Sequence, residues 1–103
     1  LANQVLTDLG SGLHVDRDAD LHMDMNYYAP GYEQPNEKAS EAIKMLARLE
    51  GLFVDPVYTG KALAGLIDHI RTGKVEQGSN VVFWHTGGAT ALFAEQQMLG
   101  NIF

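Results

Sequence analysis

Residues 51–67 read GLFVDPVYTGKALAGLI, and the fold predicted for the chain follows from them. They open with a short apolar run, 52–54, that an Asp-Pro pair closes and that is typical of a buried parallel strand. A loop at 57–60 follows, and a helix is predicted over 61–72 because apolar residues there recur at helical spacing. A strand that leads directly into a helix is the repeating unit of α/β proteins.

The rest of the sequence continues this alternation in both directions. Three further helices are predicted at 2–9, 37–50 and 89–99, and two further strands at 21–28 and 80–84. The order helix, strand, helix, strand, helix, strand, helix favours parallel strands joined by helical crossovers.

The expected fold is therefore a single α/β segment, residues 1–103, with a three-layer parallel sheet and helical crossovers. The helix at 61–72 should carry the chain from the strand at 52–54 to the strand at 80–84. Its apolar stripe and the apolar strand residues should form the core. These residues are Phe53, Leu63, Leu66, Ile67, Ile70, Val82 and Trp84.

The composition excludes several classes of function. The chain has 13 acidic and 7 basic residues, a formal net charge of −6, so it lacks the basic surface that nucleic-acid binding requires. It has no cysteine, which rules out disulfides and thiolate zinc sites, and its four histidines are too dispersed for a metal site. No apolar run approaches the roughly 20 residues that cross a bilayer. Neither GxGxxG nor GxxxxGK(S/T) is present, so the familiar nucleotide sites are unsupported.

Two glycine-bearing loops follow predicted strands and precede predicted helices: 57–60 and 85–88. Ligands of open α/β sheets bind beyond the carboxyl ends of the strands, so the two loops should converge and are candidates for a binding site. Each also has an ordinary structural explanation, since Thr59 could cap a helix and Gly87 could make a tight turn. Their position at the same predicted sheet edge favours function.

Two tyrosines lie in loops where chemistry is common. Tyr32, in a Pro-Gly turn, and Tyr58, after the strand at 52–54, are candidates for proton transfer or for binding an anionic substrate group. A tyrosine that only packs its ring is the alternative. His85 is interpreted as a positioned core residue rather than a base, and Lys61, like the other lysines, as solvent-facing charge.

Three segments, in order, resemble one enzyme family. They are APGY (29–32), LEGLFVDPVYTGKALAGLI (49–67) and VFWHTGGATALFA (82–94). They resemble the C-terminal part of the D-cysteine desulfhydrase and 1-aminocyclopropane-1-carboxylate deaminase family, which belongs to the tryptophan-synthase-β-like (fold type II) pyridoxal-phosphate enzymes. Ala29 and Glu33 stand where glycine is common in that family.

The resemblance implies that Tyr32 and Tyr58 are catalytic and that Thr59, Thr86 and Gly87 lie at the cofactor, pyridoxal 5'-phosphate. The deaminases resemble this chain but have Glu and Leu at the places of the two threonines. A hydroxyl leaves the pyridine nitrogen less strongly protonated than a carboxylate would, which suffices for β-elimination and fits ring opening poorly. The implied activity is a lyase that acts by β-elimination on a D-amino acid such as D-cysteine and gives sulfide, pyruvate and ammonia.

The resemblance also implies a larger protein. In the family, the lysine that forms the Schiff base with the cofactor and the phosphate site lie upstream of the matched part. The chain, which lacks an initiating Met, is therefore expected to be a C-terminal fragment that is inactive alone. The expected partners are an amino-acid substrate, the N-terminal part of the enzyme and a second copy in a cytoplasmic homodimer, with no nucleic acid and no membrane. A deaminase-like enzyme and a non-catalytic α/β binding module are the alternatives.

Overall fold

The computed structural model describes residues 1–34 and 36–95. No helix in this part of the chain is long and apolar enough to span a bilayer. The regular elements, all helical, are α1 (Ala2–Asp8), α2 (Arg17–Asp20), a 3-10 helix (Met25–Tyr27), α3 (Glu37–Glu50), α4 (Thr59–Arg71) and α5 (Ala91–Ala94).

Local chemistry sets both ends of α3. The Asn36 side chain accepts a hydrogen bond from the N–H of Ala39 at 2.9 Å and so caps the first turn. Gly51 ends the helix in the left-handed conformation, with φ 67°, which costs glycine little. The helix predicted at 37–50 is confirmed at both boundaries.

The other predicted helices are present to different extents. The helix predicted at 2–9 matches α1, and the helix predicted at 61–72 matches α4, which begins two residues earlier at Thr59. The helix predicted at 89–99 is present as α5, and residues 96–99 lie outside the described part of the chain.

The hydrophobic core lies between α3 and α4. Burying a side chain the size of Ile43, which is 1% exposed, contributes about 1.5–3 kcal/mol. The loop residue Val54 belongs to the same cluster. The connection from α3 to α4 is therefore anchored in the core, and it carries Tyr58. The full cluster is Ala42, Ile43, Val54, Leu63, Ala64 and Leu92.

The predicted three-layer parallel sheet, and with it the α/β class, is wrong: the described residues contain no strand. A strand exists through backbone hydrogen bonds to a neighbour, and within those residues no such bond joins 52–54 to 80–84. A side chain makes the link instead, because Nε2 of His85 lies 2.8 Å from the carbonyl oxygen of Phe53. The apolar, β-branched composition of the two segments is typical of strands, but within the described part of the chain neither segment has the backbone hydrogen-bond partner that a strand requires.

The third predicted strand, 21–28, contains the 3-10 helix Met25–Tyr27 instead. The Asp24 carboxylate accepts hydrogen bonds from the backbone N–H of Asn26 at 3.0 Å and from its side-chain amide at 2.6 Å, which favours the turn. The same carboxylate contacts His69 of α4 at 2.9 Å. Local hydrogen bonds and a helix contact therefore outweigh the alternating apolar pattern.

Four of the seven residues predicted to be buried are exposed. The strand predictions account for three of them, since the described residues provide no second layer to cover 52–54 or 80–84. Leu63 is buried, and Leu66 and Ile67 are partly buried against the core. The exposed fractions are 46% for Phe53, 52% for Ile70, 85% for Val82 and 80% for Trp84.

Candidate functional site

Tyr32 and Tyr58 lie side by side, although 26 residues separate them in the sequence. Their hydroxyl oxygens are 3.1 Å apart and their ring centroids 5.9 Å apart. Both residues are exposed, so the pair is accessible to a ligand. The hydrogen bond to Tyr58 and the nearby Glu33 carboxylate raise the pKa of Tyr32 to about 12. This phenol therefore keeps its proton at neutral pH.

The segment 28–34, here called the Tyr32 turn, holds the first tyrosine. Its carbonyl at Ala29 accepts a hydrogen bond from the Asn36 side-chain amide at 2.6 Å, which ties the turn to the start of α3. Glu33 has φ 52°, in the left-handed region that favours glycine. This is one of the two places where glycine is common in the family that the sequence resembles.

The buried carboxylate of Asp55 fixes the backbone around Tyr58. Its Oδ2 accepts hydrogen bonds from the N–H of Val57 at 2.8 Å and of Tyr58 at 2.7 Å, and its Oδ1 accepts from the N–H of Thr59 at 2.9 Å. Because α4 begins at Thr59, this carboxylate satisfies donors that a helix start leaves unpaired. Its negative charge also lies near the positive end of the helix.

Thr59 is turned toward Asp55 and is 3% exposed. Its hydroxyl donates to Oδ1 of Asp55 at 2.5 Å and accepts from the backbone N–H of Asp55 at 3.0 Å. Burial by itself would raise the pKa of Asp55, but the Thr59 hydroxyl and three backbone N–H groups outweigh it and hold that pKa below its ordinary value. The carboxylate is therefore charged at neutral pH.

Lys61, three residues after Tyr58, is only 7% exposed, so the prediction of a solvent-facing charge is wrong. Its ammonium donates hydrogen bonds to the carbonyl of Gly31 at 2.7 Å and to the carbonyl of Tyr28 at 3.3 Å. Both carbonyls belong to the Tyr32 turn. The lysine therefore connects α4 to the segment that carries the other tyrosine.

His85 ties the second predicted loop, 85–88, to the first. Its Nε2 donates to the Phe53 carbonyl at 2.8 Å, and its Nδ1 accepts from the N–H of Gly87 at 3.0 Å. The carbonyl acceptor and the N–H donor together assign the tautomer. The positioning role predicted for His85 fits these contacts, but its place in the core is wrong, because the residue is exposed.

The loop at 85–88 meets Asp55 through Gly88, and Asp55 in turn holds the backbone of the loop at 57–60. The two loops are thus joined through this carboxylate, and their direct convergence stays a prediction. A Cβ atom at Gly88 would lie 2.7 Å from Oδ1 of Asp55, which is too close for a side chain. Gly88 also has φ 88°, so glycine suits this contact on both counts. Next to it, Thr86 is exposed, and Gly87 has open space where a Cβ would be.

An open groove of about 760 Å³ adjoins the tyrosine pair, a volume that suits a small organic ligand. Its walls include Tyr32, Tyr58 and Lys61, together with Asp24 and His69. Hydrogen bonds from the backbone N–H of Asn26 and, with a smaller effect, from the side chain of His69 lower the pKa of Asp24 to about 2. The groove thus places the Asp24 carboxylate near the tyrosine pair, whereas the ammonium of Lys61 in its wall already binds two backbone carbonyls. In the part of the chain that the structure describes, no three metal-ligating side chains come together.

Two residues of this site, Asp55 and Lys61, are not predicted by the sequence patterns above. An aspartate shortly before a helix commonly accepts the N–H groups two or three residues on, and Asp55 lies four residues before Thr59. Lys61 lies three residues after Tyr58, a spacing that places side chains on one face of a helix. Those two spacings are the signals in the sequence that could have identified them.

Comparison with known proteins assigns the family. Residues 2–87 match the family described as pyridoxal-phosphate dependent enzyme. The D-cysteine desulfhydrases of Salmonella typhi, Salmonella newport (strain SL254) and Salmonella enteritidis PT4 (strain P125109) are each 55% identical to the chain over 76 residues. The aligned residues are 74% of this chain and 23% of each relative, so the chain spans about a quarter of the length of the curated relatives that it matches. Because the family match covers most of its residues, the chain belongs to the pyridoxal-phosphate-dependent enzymes.

Proposed function

We propose that the chain is the C-terminal part of a pyridoxal-phosphate-dependent lyase that catalyses β-elimination from a D-amino acid such as D-cysteine. One water is consumed and the products are sulfide, pyruvate and ammonia. The observation that carries the proposal is the tyrosine pair, whose hydroxyls lie 3.1 Å apart beside an open groove. The family match and the relatives that bear the name D-cysteine desulfhydrase support the choice of substrate.

The tyrosine pair is proposed to manage a proton. β-Elimination breaks the Cα–H and Cβ–S bonds, and the departing sulfur leaves more easily when it receives a proton. We assign that donation to Tyr58, whose backbone Asp55 holds in place, and the proton is restored from solvent, to which the pair is open. Tyr32, protonated at neutral pH, orients the Tyr58 hydroxyl through their shared hydrogen bond.

The loop at 85–88 fits the ring of the cofactor. The Thr86 side chain is exposed and has no hydrogen-bond partner among the described residues, and Gly87 leaves room for a close approach. Pyridoxal phosphate, when bound, supplies an electron-withdrawing ring that stabilises negative charge at Cα. We assign Thr86 and Gly87 to that ring. Thr59 is the weaker candidate for direct contact, because Asp55 already engages its hydroxyl.

The neutral character of these groups favours elimination over ring opening. Thr86 offers the pyridine nitrogen a hydroxyl and not a carboxylate. The Asp55 carboxylate, which a Cβ at Gly88 of this loop would touch, is buried and already accepts four hydrogen bonds. It is therefore not available to hold a protonated ring nitrogen, the arrangement that the deaminase alternative would need.

The proposed assembly includes the remaining part of the enzyme and a second copy of the chain, in the cytoplasm. Large apolar side chains support the first partner, because Val82, Trp84 and Phe93 are 85%, 80% and 79% exposed. Surfaces rich in such side chains are commonly interaction sites. The homodimer and the compartment follow from the family resemblance, and light scattering on the full-length enzyme tests the homodimer.

The decisive experiment compares substrates on the full-length enzyme, including the segment proposed to precede Leu1. We expect release of sulfide and pyruvate from D-cysteine, and a much lower kcat/KM for ammonia release from 1-aminocyclopropane-1-carboxylate. A higher kcat/KM for the cyclopropane substrate would replace the lyase with the deaminase alternative. Absence of turnover on either substrate, with cofactor bound, would favour the non-catalytic module.

Three variants test the assigned residues. Tyr58→Phe should lower kcat by roughly 10²–10⁴-fold, as loss of a general acid does. Thr86→Val should raise the activation free energy of elimination by only about 0.5–1.5 kcal/mol, since a neutral hydrogen bond contributes little more. Tyr28→Phe makes the same change at an exposed tyrosine of the groove wall outside the pair, so it is the control, and it should lower kcat far less than Tyr58→Phe. A Tyr58→Phe enzyme as fast as this control would remove Tyr58 from the catalytic role.

A further inference from the structure

We propose that Lys61 is a positioning residue whose buried ammonium clamps the Tyr32 turn onto α4 and so sets the spacing of the two tyrosine hydroxyls. The inference rests on the proposed function, in which the pair acts on the substrate. It concerns how the pair is assembled.

The geometry joins the two tyrosines through one side chain. Lys61 lies on α4 three residues after Tyr58, so its backbone is fixed relative to that tyrosine. Its ammonium reaches the carbonyl of Gly31, the residue directly before Tyr32, at 2.7 Å, and the carbonyl of Tyr28 at 3.3 Å. The path from one tyrosine to the other therefore runs through a single turn of helix and a single hydrogen bond.

The burial of Lys61 argues that its place is not accidental. A buried ammonium loses its hydration and is usually paired with a carboxylate. Among the described residues, no carboxylate lies within 4.0 Å of Lys61, and two backbone carbonyls receive its hydrogen bonds instead. An apolar side chain would avoid the cost of desolvation. What the ammonium adds is a directional hold on the carbonyls of the Tyr32 turn.

Tyr27, directly before the Tyr32 turn, is tied to α4 by its hydroxyl, which donates to Asp68 at 2.5 Å, but the turn itself has few bonds to that helix. In the residues that the structure describes, Lys61 alone donates hydrogen bonds from α4 to this turn. The carbonyl of Ala29 is held by Asn36, which belongs to the start of α3. The bond between the tyrosine hydroxyls is itself exposed, so water competes for it. Lys61 is thus the contact that brings Tyr32 to the side of Tyr58.

A double-mutant cycle on the full-length enzyme tests the clamp. Lys61→Met removes the ammonium and should lower kcat by about 10–100-fold, the scale of a small misplacement of a catalytic group, with a smaller change in KM. Tyr32→Phe should lower kcat by a similar factor, and the double variant should be no slower than the slower single variant. Effects of the two changes that multiply would overturn the proposal.

Lys38→Met is the matched control, since it makes the same chemical change at an exposed lysine of α3. It should leave kcat unchanged with either residue at position 32, and an equal loss in the Lys38 and Lys61 variants would overturn the clamp. If Lys61→Met does not fold, Lys61→Gln takes its place in the same cycle with the same outcomes.

A second measurement does not depend on turnover. With 3-fluorotyrosine at position 32 of the full-length protein, ¹⁹F NMR follows the titration of that phenol. It should titrate at lower pH in Lys61→Met than in the wild type, because the hydrogen bond to Tyr58 that raises its pKa is lost. Identical titrations would overturn the clamp. If the full-length wild type is inactive on D-cysteine but the Tyr32 titration still shifts in Lys61→Met, the clamp is upheld and the proposed function alone is overturned.

Discussion

The side chain of Asp55 satisfies three backbone N–H groups and one hydroxyl, all from residues 57–59. An asparagine there would have a single acceptor oxygen and would turn its NH₂ group toward some of the same donors. A buried donor left unsatisfied costs about 1–3 kcal/mol. We expect Asp55→Asn to lower the free energy of unfolding by at least that amount in urea titrations. Asp18→Asn, at an exposed aspartate of α2, should have no measurable effect, and equal midpoints for the two variants would contradict the prediction.

The same carboxylate predicts a dependence of stability on pH. Folding holds the pKa of Asp55 below its ordinary value, so the unfolded chain binds this proton more readily. The contribution of Asp55 to stability is therefore complete above the unfolded pKa of about 3.9 and is lost as the pH falls through the folded value. The stability difference between wild type and Asp55→Asn should be constant from about pH 5 to 7 and should shrink below about pH 4. A difference that stays constant to lower pH would speak against a charged Asp55.

The contact of the loop at 85–88 with Asp55 depends on Gly88, and a second glycine provides the comparison. Gly88 and Gly78 have similar φ values, 88° and 86°. A Cβ at Gly88 would lie 2.7 Å from Asp55, whereas a Cβ at Gly78 would meet nothing within 4 Å. Gly78→Ala should therefore cost about 1 kcal/mol, from the backbone conformation alone. Gly88→Ala should lower the free energy of unfolding by clearly more, because its Cβ also clashes with Asp55, and it should lower kcat of the lyase. Equal losses in thermal or urea unfolding would mean that the loops do not depend on this contact.

The helices α3 and α4 could be predicted from the sequence because their signals are local. Apolar spacing marks the buried face of each, and Asn36 and Gly51 mark the ends of α3 within a few residues of where they act. The strands could not be predicted in the same way. The apolar residues at 80–84 indicate a surface that avoids water, but a strand also needs a backbone neighbour, and sequence alone does not show whether one is present.

The residues of the candidate site also differ in whether a signal in the sequence predicts them. Loop position makes Tyr32 and Tyr58 separate candidates, and only the family resemblance predicts one shared site, since no local rule brings together two residues 26 positions apart. The sequence analysis does not predict Asp55 and Lys61, because charged residues are rarely buried and are therefore expected at the surface. Apart from the Thr59 hydroxyl, their partners are backbone groups, which leave no trace in the identity of the neighbouring residues.

The molecule as a whole leaves much apolar surface uncovered, and Trp84 can report on it. Trp84 is the single tryptophan of the chain and is 80% exposed. In the isolated chain, iodide should quench its fluorescence almost as well as it quenches free tryptophan. In the full-length enzyme the remaining part should cover it, so quenching should fall. Subtracting the signal of each Trp84→Phe variant isolates this residue, and equal quenching in both proteins would contradict the proposed partner.

Glu33 has a consequence for how this sequence can change over evolution. A non-glycine residue with φ 52° costs the folded chain about 1 kcal/mol, out of the 5–15 kcal/mol that typically keeps a domain folded. Selection for stability alone would favour glycine at this position. The glutamate, however, places a negative charge where it raises the pKa of Tyr32, which a glycine would not do. Glu33→Gly would therefore relieve the backbone strain and lower the pKa of Tyr32 in one step, so stability and the acidity of this phenol change together at this position.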